Sequence, residues 1–447
     1  MKIFIFLVYK FLARILEVLN KHFSVPRLRH LRELVDVSVG NLKDMTNELN
    51  SNAVSEYCFR PYEVKRIKYK KQAGYEKSRP YARSGHRIVC SDSAIYCFGG
   101  FNPNMAVMND GDEASCLFQE LWKYDIVRNE WTLLMDSNND LPQELASNAM
   151  IMHRNLLIVF GGTGFPFGVN CSNKLYVCEP AKKPKEMMEI EVKGDLPPAQ
   201  YGQTIVFHDG FLYTIGGTEG FDYTCDVYRL NVSSRTWECA YACRQDIRDD
   251  PPGRYRHEIA FDDNNVYIIG GGTSDSAFSL ASIPTYNLKR NKWTYTATKP
   301  DPSLPLPGVP APRKCHSCVQ YHTDNGTEVI VAGGYDGGSY YADVWKLNLN
   351  TFEWRLMQKS VLPYTLFFHD AACSESGCMY IFGGIKFSFR NNLRTNIVYK
   401  MWMTIPKLSE ICWEALLHYS QELPAKSKNE LLELGIPLKF VQRIHEA

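Results

Sequence analysis

Almost no net charge survives in this chain of 447 residues: 50 Lys and Arg stand against 49 Asp and Glu, leaving +1. So balanced a composition gives no general affinity for nucleic acid or other polyanions. The basic stretch from Lys65 to Arg83 reads as lysines guarding an exposed strand edge. Long apolar runs are also missing. The start, MKIFIFLVYKFLARILEVLN, is broken by Lys10 and Arg14 and has no small-residue cleavage site. It falls short of the roughly 20 apolar residues that span a bilayer, so an amphipathic helix is expected there, without export or membrane attachment. The 14 cysteines have no regular spacing, which fits buried thiols in a reducing compartment better than a disulfide framework. Cys315 and Cys318 are spaced like metal ligands, but positions three apart in a strand face opposite sides, so no metal is expected there. No Ser-His-Asp or paired-carboxylate pattern stands out, and the sequence calls for neither an enzyme nor a cofactor.

What the chain does have is repetition. Six times a run of aliphatic or aromatic residues ends in two glycines, at Gly99-Gly100, Gly161-Gly162, Gly216-Gly217, Gly270-Gly271, Gly333-Gly334 and Gly383-Gly384. In the third unit, YGQTIVFHDGFLYTIGG reads as two strands joined at His208-Asp209-Gly210, with DVYRLNV as a third. A tryptophan supplies the fourth strand and recurs as Trp131, Trp237, Trp293 and Trp354. The second unit has only the run around Met187 at this place, and an insertion is expected near Pro103 to Leu117. Units of this length resemble the kelch repeat, one four-stranded blade each. The expected fold is therefore all-β, a six-bladed kelch β-propeller with a small C-terminal α-helical appendage. The sixth unit lacks a fourth strand, and residues 62–69 are the best donor for closing the ring.

From Pro406 onward the period changes to 3.6, with Leu408, Ile411, Cys412, Ala415, Leu416 and Tyr419 on one face. Ser427 and Glu430 form a capping-box signature for a second helix that stops at Gly435, and Pro437 opens a third. The expected organisation is an N-terminal segment at 1–58, a propeller at 59–404 with repeats over about 83–404, and helices at 405–447.

These helices carry the more specific resemblance. LSEICWEAL is similar to an elongin-binding box, through Leu408, Cys412 and Leu416, with Ile411 beside them. IPLKFVQRI is similar to a cullin-2 box, through Ile436, Pro437, Phe440 and Ile444. With ARSGHR at 82–87, FGGTGFPFG at 160–168, RYRHEIA at 254–260, IIGGGTS at 268–274 and RKCHSCVQ at 313–320, the chain resembles the kelch domain-containing protein 10 family. The resemblance runs from about residue 80 to the C-terminus. It implies a cytoplasmic and nuclear substrate receptor, not itself catalytic, for a cullin-2 RING ubiquitin ligase. Its partners would be elongin B/C, cullin-2 with its RING subunit, and proteins ending in glycine. Lys407 departs from the small polar residue or proline often found before the elongin box, which weakens that helix start. A kelch scaffold or actin-binding protein without a ligase role is the alternative.

A chain end would be captured through its carboxylate, which binds best to an arginine fork with added hydroxyl or amide donors. The starts of the blades offer such groups: Arg83 and Ser84, Tyr201 and Gln203, Arg254, Tyr255 and Arg256, Arg313 and Lys314. Arg254 with Arg256 is the preferred pair, whereas His86, His257 and His316, recurring in register, are read as structural. Phe165 and Phe167 either pack a penultimate side chain or brace the blade.

Overall fold

The computed structural model describes residues 56–68, 78–105, 116–139, 141–182, 186–244, 247, 249–388 and 392–445. The expected N-terminal helix and most of the expected insertion lie outside these residues. Contacts divide the chain into two units, Pro61–Thr404 and the segment from Ile405 onward joined by residues up to Arg60. Among the described residues, no helix is long and apolar enough to cross a membrane.

Six sheets follow one another in Pro61–Thr404, and a seventh, three-stranded sheet joins Leu366–Phe367, Ile385–Lys386 and Leu393–Arg394. The innermost strands of the six are Arg87–Cys90, Ala149–His153, Thr204–His208, Glu258–Phe261, Ser317–Thr323 and Asp370–Cys373. The first of them touches the second and the sixth, so the blades close into a ring. Closure is made as the sequence suggests. Lys65–Arg66 pairs antiparallel with Val398–Trp402, placing Lys65 opposite Lys400 and Arg66 opposite Tyr399. Tyr62 and Ile67 extend the contact by donating to Trp402 and Val398 carbonyls at 2.9 Å. Of the expected 62–69 strand, residue 69 lies outside the described residues, and at the start Tyr62 turns left-handed, with φ 66°. An N-terminal strand thus covers the edge that the sixth repeat would leave unpaired.

The recurrent tryptophans lie on the fourth strands, each at most 4% exposed. In the second blade that strand shrinks to Met188–Glu189, and Met187 is buried instead. The third blade gains an unforeseen outer strand, Lys193–Gly194, parallel to Thr236–Tyr241. The glycine pairs mark where neighbouring blades meet. A Cβ on Gly270 would come within 2.9 Å of the His316 ring in the next blade, and one on Gly271 within 2.6 Å of His257 Cβ in its own. Both glycines also have positive φ, so only glycine fits the wedge. Cys315 precedes the strand that holds Cys318, rather than sharing it.

The second unit contains α1 (Leu408–Tyr419), α2 (Lys428–Glu433) and α3 (Leu438–His445). Ser427 and Glu430 form the expected capping box, Gly435 ends α2 with φ 80°, and Pro437 accepts from Phe440 N at 2.9 Å as α3 begins. Short helices are stable only when an apolar face is covered, and here the cover comes from α1 and α3 together. Trp413 stacks on Phe440 with centroids 4.8 Å apart, while Ile411, Ala415, Leu431, Val441 and Ile444 are buried. Buried Glu410 accepts from Arg443 at 2.5 Å and Lys439 at 3.1 Å. Residues before the propeller join this unit, since Tyr57 OH donates to Glu414 at 2.8 Å.

Two expectations for the boxes change. Ile436, Phe440 and Ile444, read as a binding face, are at most 3% exposed and form the unit's own core. Pro437 stays exposed, and the outward apolar residues are Leu432, Leu434 and Leu438. Likewise Ile411 faces inward, so the outward row of α1 is Leu408, 47% exposed, with half-buried Cys412 and Leu416.

Candidate anion pocket at the blade starts

Each blade begins with one residue in the left-handed region. These are Gly85, Ser147, Gly202, Arg256, Cys315 and Phe368, with φ of 66, 61, 70, 54, 54 and 54°. This conformation turns the peptide sideways, toward the neighbouring blade. Gly85 N donates to Phe368 O (3.1 Å), Ser147 to Gly85 (2.8 Å), Gly202 to Ser147 (2.8 Å), Arg256 to Gly202 (2.8 Å), Cys315 to Arg256 (3.2 Å) and Phe368 to Cys315 (2.9 Å). The six amides close a ring. Left-handed φ costs each non-glycine residue about 1 to 2 kcal/mol, offset by a hydrogen bond that would otherwise be missing.

Two residues further along the inner strands, charged groups fill the channel. Arg87 Nη1 donates to Glu258 Oε1 at 2.8 Å and Asp370 Oδ1 at 3.2 Å, and Ile88 N donates to Asp370 Oδ2 at 2.7 Å. Burial raises the pKa of both carboxyls, and Arg87 opposes it. Both carboxylates hydrogen-bond Arg87, and Glu258 also feels the charge of Arg256.

Against the ring sits a cavity of about 180 Å³, lined by Ser84, Gly85, Phe101, Ser147, Phe167, Tyr201, Tyr255, Arg256, Phe368 and Arg394 among others. It is smaller than the roughly 300 to 1,000 Å³ that drug-sized ligands occupy, so it suits a small group or a chain end. Its two cations are held by neutral partners. Arg256 Nη2 donates to Ser147 Oγ, its guanidinium lies 4.6 Å from the Phe368 ring centre, and its buried Nε has no partner. Arg394 Nε donates to Ser84 Oγ at 3.0 Å and Phe101 O at 3.1 Å. Burial lowers the pKa of both, that of Arg394 to about 10. Among the described residues, neither arginine makes a salt bridge. Two partly buried cations outside any salt bridge at the mouth of one cavity are poised for an anion.

The sequence-derived candidates divide. Ser84, Tyr201, Tyr255 and Arg256 do meet at this pocket, and Phe167 forms part of its wall. Phe165 stacks on Phe101 at 5.2 Å and meets Phe167 edge-on at 5.5 Å, bracing that wall. Arg83, Arg254 and Arg313 are instead turned into the blades. Their Nη1 atoms donate to Gly99, Gly270 and Gly333 carbonyls at 2.8, 3.1 and 3.0 Å, and their guanidinium groups lie over Phe118, Phe278 and Tyr341. Arg83 also pairs with Glu120, and Arg313 with Asp343. These three arginines serve the repeat by binding the first carbonyl of the glycine pair. Gln203 is fully buried and donates to Phe160 O at 3.1 Å, and Lys314 Nζ is bound by backbone carbonyls, that of Ser274 at 2.8 Å.

The histidines one residue past the ring are buried, and burial depresses their pKa, to about 3 for His257 and His369. His257 Nε2 meets Thr204 Oγ1 at 3.0 Å and His369 Nε2 meets Ser317 Oγ at 2.9 Å, each bridging two blades. The sequence reading missed Arg394, Phe101, Ser147 and Phe368. Arg394 lies outside the repeat register, in the connection before the last strand of the sixth repeat, so only topology brings it to the mouth.

Among the described residues no cluster of three His, Cys, Asp or Glu could hold a metal ion. A family model described as the KLHDC2/KLHL20/DRC7 Kelch-repeats domain matches residues 50–271 and 241–426. The Drosophila melanogaster kelch domain-containing protein 10 homolog is 46% identical over 403 residues, 87% of this chain and 66% of that protein, so the chain spans just under two thirds of the fly relative. The Xenopus laevis and human kelch domain-containing protein 10 are each 41% identical over 366 residues, 82% of this chain and 86% and 80% of theirs. Kelch-repeat proteins are usually non-catalytic. Such identity, spread over more than four fifths of a chain with this architecture, makes it a member of the kelch domain-containing protein 10 family.

Proposed function

We propose that this chain is a non-catalytic substrate receptor of a cullin-2 RING ubiquitin ligase, acting in cytoplasm and nucleus, whose propeller captures the carboxyl end of proteins terminating in glycine. The observation that carries this reading is the pair of carboxylate-less arginines, Arg256 and Arg394, above a ring of six hydrogen-bonded amides. A free carboxylate supplies the missing anion, and Ser84 and Ser147 stand ready to hydrogen-bond it. The floor favours an end over an internal segment, because the ring and the Arg87 bridge leave a threaded chain nowhere to continue. Glycine at the terminus suits a pocket of this size walled by aromatic rings.

The helical unit supports the other half of the reading. Leu408, Cys412 and Leu416 recur every four residues and form an outward row on α1 suited to elongin C. Leu432, Leu434 and Leu438 give the apolar surface for cullin-2, around the core built from Ile436, Phe440 and Ile444. The test of recognition is a titration of the propeller with three peptides of one sequence: glycine-ended free acid, its amide, and the same peptide extended by one bulky residue. Binding of the free acid alone is expected. Equal binding of all three would refute capture of the terminus.

A further inference from the structure

Beside the pocket, the chain spends exposed apolar surface in a way the blades do not require. Phe167 is 45% exposed, Val169 70% and Phe221 90%. They come from two loops, between the second and third strands of the second blade and of the third. The loops are packed backbone to backbone, since a Cβ on Gly168 would lie 2.9 Å from Gly220 Cα and one on Gly220 would lie 3.0 Å from Gly168 Cα. Positive φ at both, 82 and 121°, fixes glycine there. The result is a continuous ridge whose inner end, Phe167, is already a wall of the pocket and is anchored edge-on against Phe101 at 4.9 Å. At its outer end Phe221 stands between the exposed carboxylates of Glu219 and Asp222.

We infer that this ridge is a second recognition surface, which takes an apolar side chain flanked by Lys or Arg in the segment just upstream of a captured chain end. The inference rests on the reading of the pocket as a carboxylate site. That reading fixes the direction of the bound chain, with its end against Arg256 and Arg394 and its upstream residues leaving past Phe167. Three to five residues of extended chain cover about 10 to 17 Å, which makes the fourth to sixth positions from the end the ones to vary. The charge pattern selects the rest. Arginines hold the terminal anion at one end, and Glu219 and Asp222 favour basic residues at the other. An upstream acidic segment meets like charge, so the surface rejects as well as attracts.

The test uses the full chain and two glycine-ended free-acid peptides with identical last three residues. One carries Leu between two lysines at the fourth to sixth positions from the end, and the other carries Ser between two glutamates. The parent protein is expected to prefer the first by about tenfold or more, as a partly buried leucine and two screened charge contacts allow. In the double variant Phe221→Ser, Val169→Ser, whose side chains are mostly exposed and leave folding intact, the preference should fall below about threefold. Amidation should still abolish binding to parent and variant alike. If the parent binds both peptides equally, or the variant keeps the full preference, while amides still fail, the ridge is not a recognition surface and the pocket reading stands. If amides bind as well as free acids, or no peptide binds, the pocket reading fails and takes this inference with it.

Discussion

Arg254 and Arg256 are two residues apart, yet replacing each with methionine should move stability and binding in opposite directions. Arg256 has one neutral hydrogen bond, to Ser147, and a stacking contact with Phe368. Losing them costs roughly 1 kcal/mol for the hydrogen bond and about 0.5 to 2 for the cation–π contact. Against this, Arg256→Met removes a partly buried cation that makes no salt bridge, relieving its desolvation cost, and refills the site with apolar volume. The variant should therefore be as stable as the parent or up to about 2 kcal/mol more stable. Its binding should collapse. An arginine–carboxylate contact shielded from water contributes about 2 to 5 kcal/mol, so affinity for a free-acid peptide should fall from about thirtyfold to several thousandfold.

Arg254→Met should do the reverse. It strips the buried Gly270 carbonyl of a donor now held at 3.1 Å, and an unsatisfied buried acceptor costs about 1 to 3 kcal/mol, whereas the Pro252 carbonyl, also bound at 3.2 Å, belongs to an exposed residue and keeps the Cys225 thiol at 3.4 Å. Peptide affinity of the folded fraction should stay within about threefold of the parent. Urea unfolding and calorimetric titration of the two variants read both quantities. The reasoning is refuted if Arg256→Met is the less stable variant, or if Arg254→Met is the one that loses the peptide.

Buried histidines make stability fall with acid. His257 and His369 titrate near 6.5 when unfolded and near 3 when folded, so the native state binds fewer protons between these values; their contribution is complete above pH 6.5 and drains away as pH falls toward 3. At pH 5 each should have cost about 2 kcal/mol. The double variant His257→Gln, His369→Gln, borrowing the amide that Gln203 supplies at the same register, should make the fall in denaturation free energy between pH 7 and 5 clearly shallower, with buried His86 and His316 keeping a slope of their own, and curves parallel to the parent's would refute the assignment. In the helical unit, Leu408→Asp should abolish elongin B/C copurification by placing an unpaired charge in an apolar contact while α1 stays folded, and normal recovery would count against the box. Leu438→Asp should weaken cullin-2 association with elongin retained, whereas Ile436→Ala should lower the unit's melting temperature, and recovery of cullin-2 by Leu438→Asp at parental levels would remove that face from consideration.

Much of the fold is legible because the repeat is a physical requirement. Three of the glycine pairs, those from Gly270, Gly333 and Gly383, must admit two histidines from adjacent blades, four of the six fourth strands carry a buried tryptophan, and a ring of sheets needs a closing edge. Gly270-Gly271, Trp293 and the 62–69 segment announce these needs without reference to one another. The helices are legible in their ends, Ser427, Glu430 and Gly435, more than in their faces. A spacing of four selects Leu408, Cys412 and Leu416 but cannot say whether that stripe looks in or out. Trp413, off the stripe, turned out to carry the core by stacking on Phe440.

The pocket is where local pattern reading fails, and RYRH shows why. In a regular strand Arg254 and Arg256 would share a face and act together. Arg256 instead takes φ of 54°, so its side chain leaves the strand's alternation and enters the mouth while Arg254 stays in the blade. The signal for this was present in other blades, not in this one. Gly85 and Gly202 occupy the same register, and glycine at a fixed place in a repeat marks positive φ. A non-glycine residue at that register is therefore held in a strained conformation by the ring, and what it carries can be displayed at the axis. Of the four such residues Cys315 is packed away against Phe367 and Ile385, while Ser147, Arg256 and Phe368, which have no resemblance to one another in sequence, belong to one site: a hydroxyl, a cation and a ring face that only the six-fold hydrogen-bonded floor brings together.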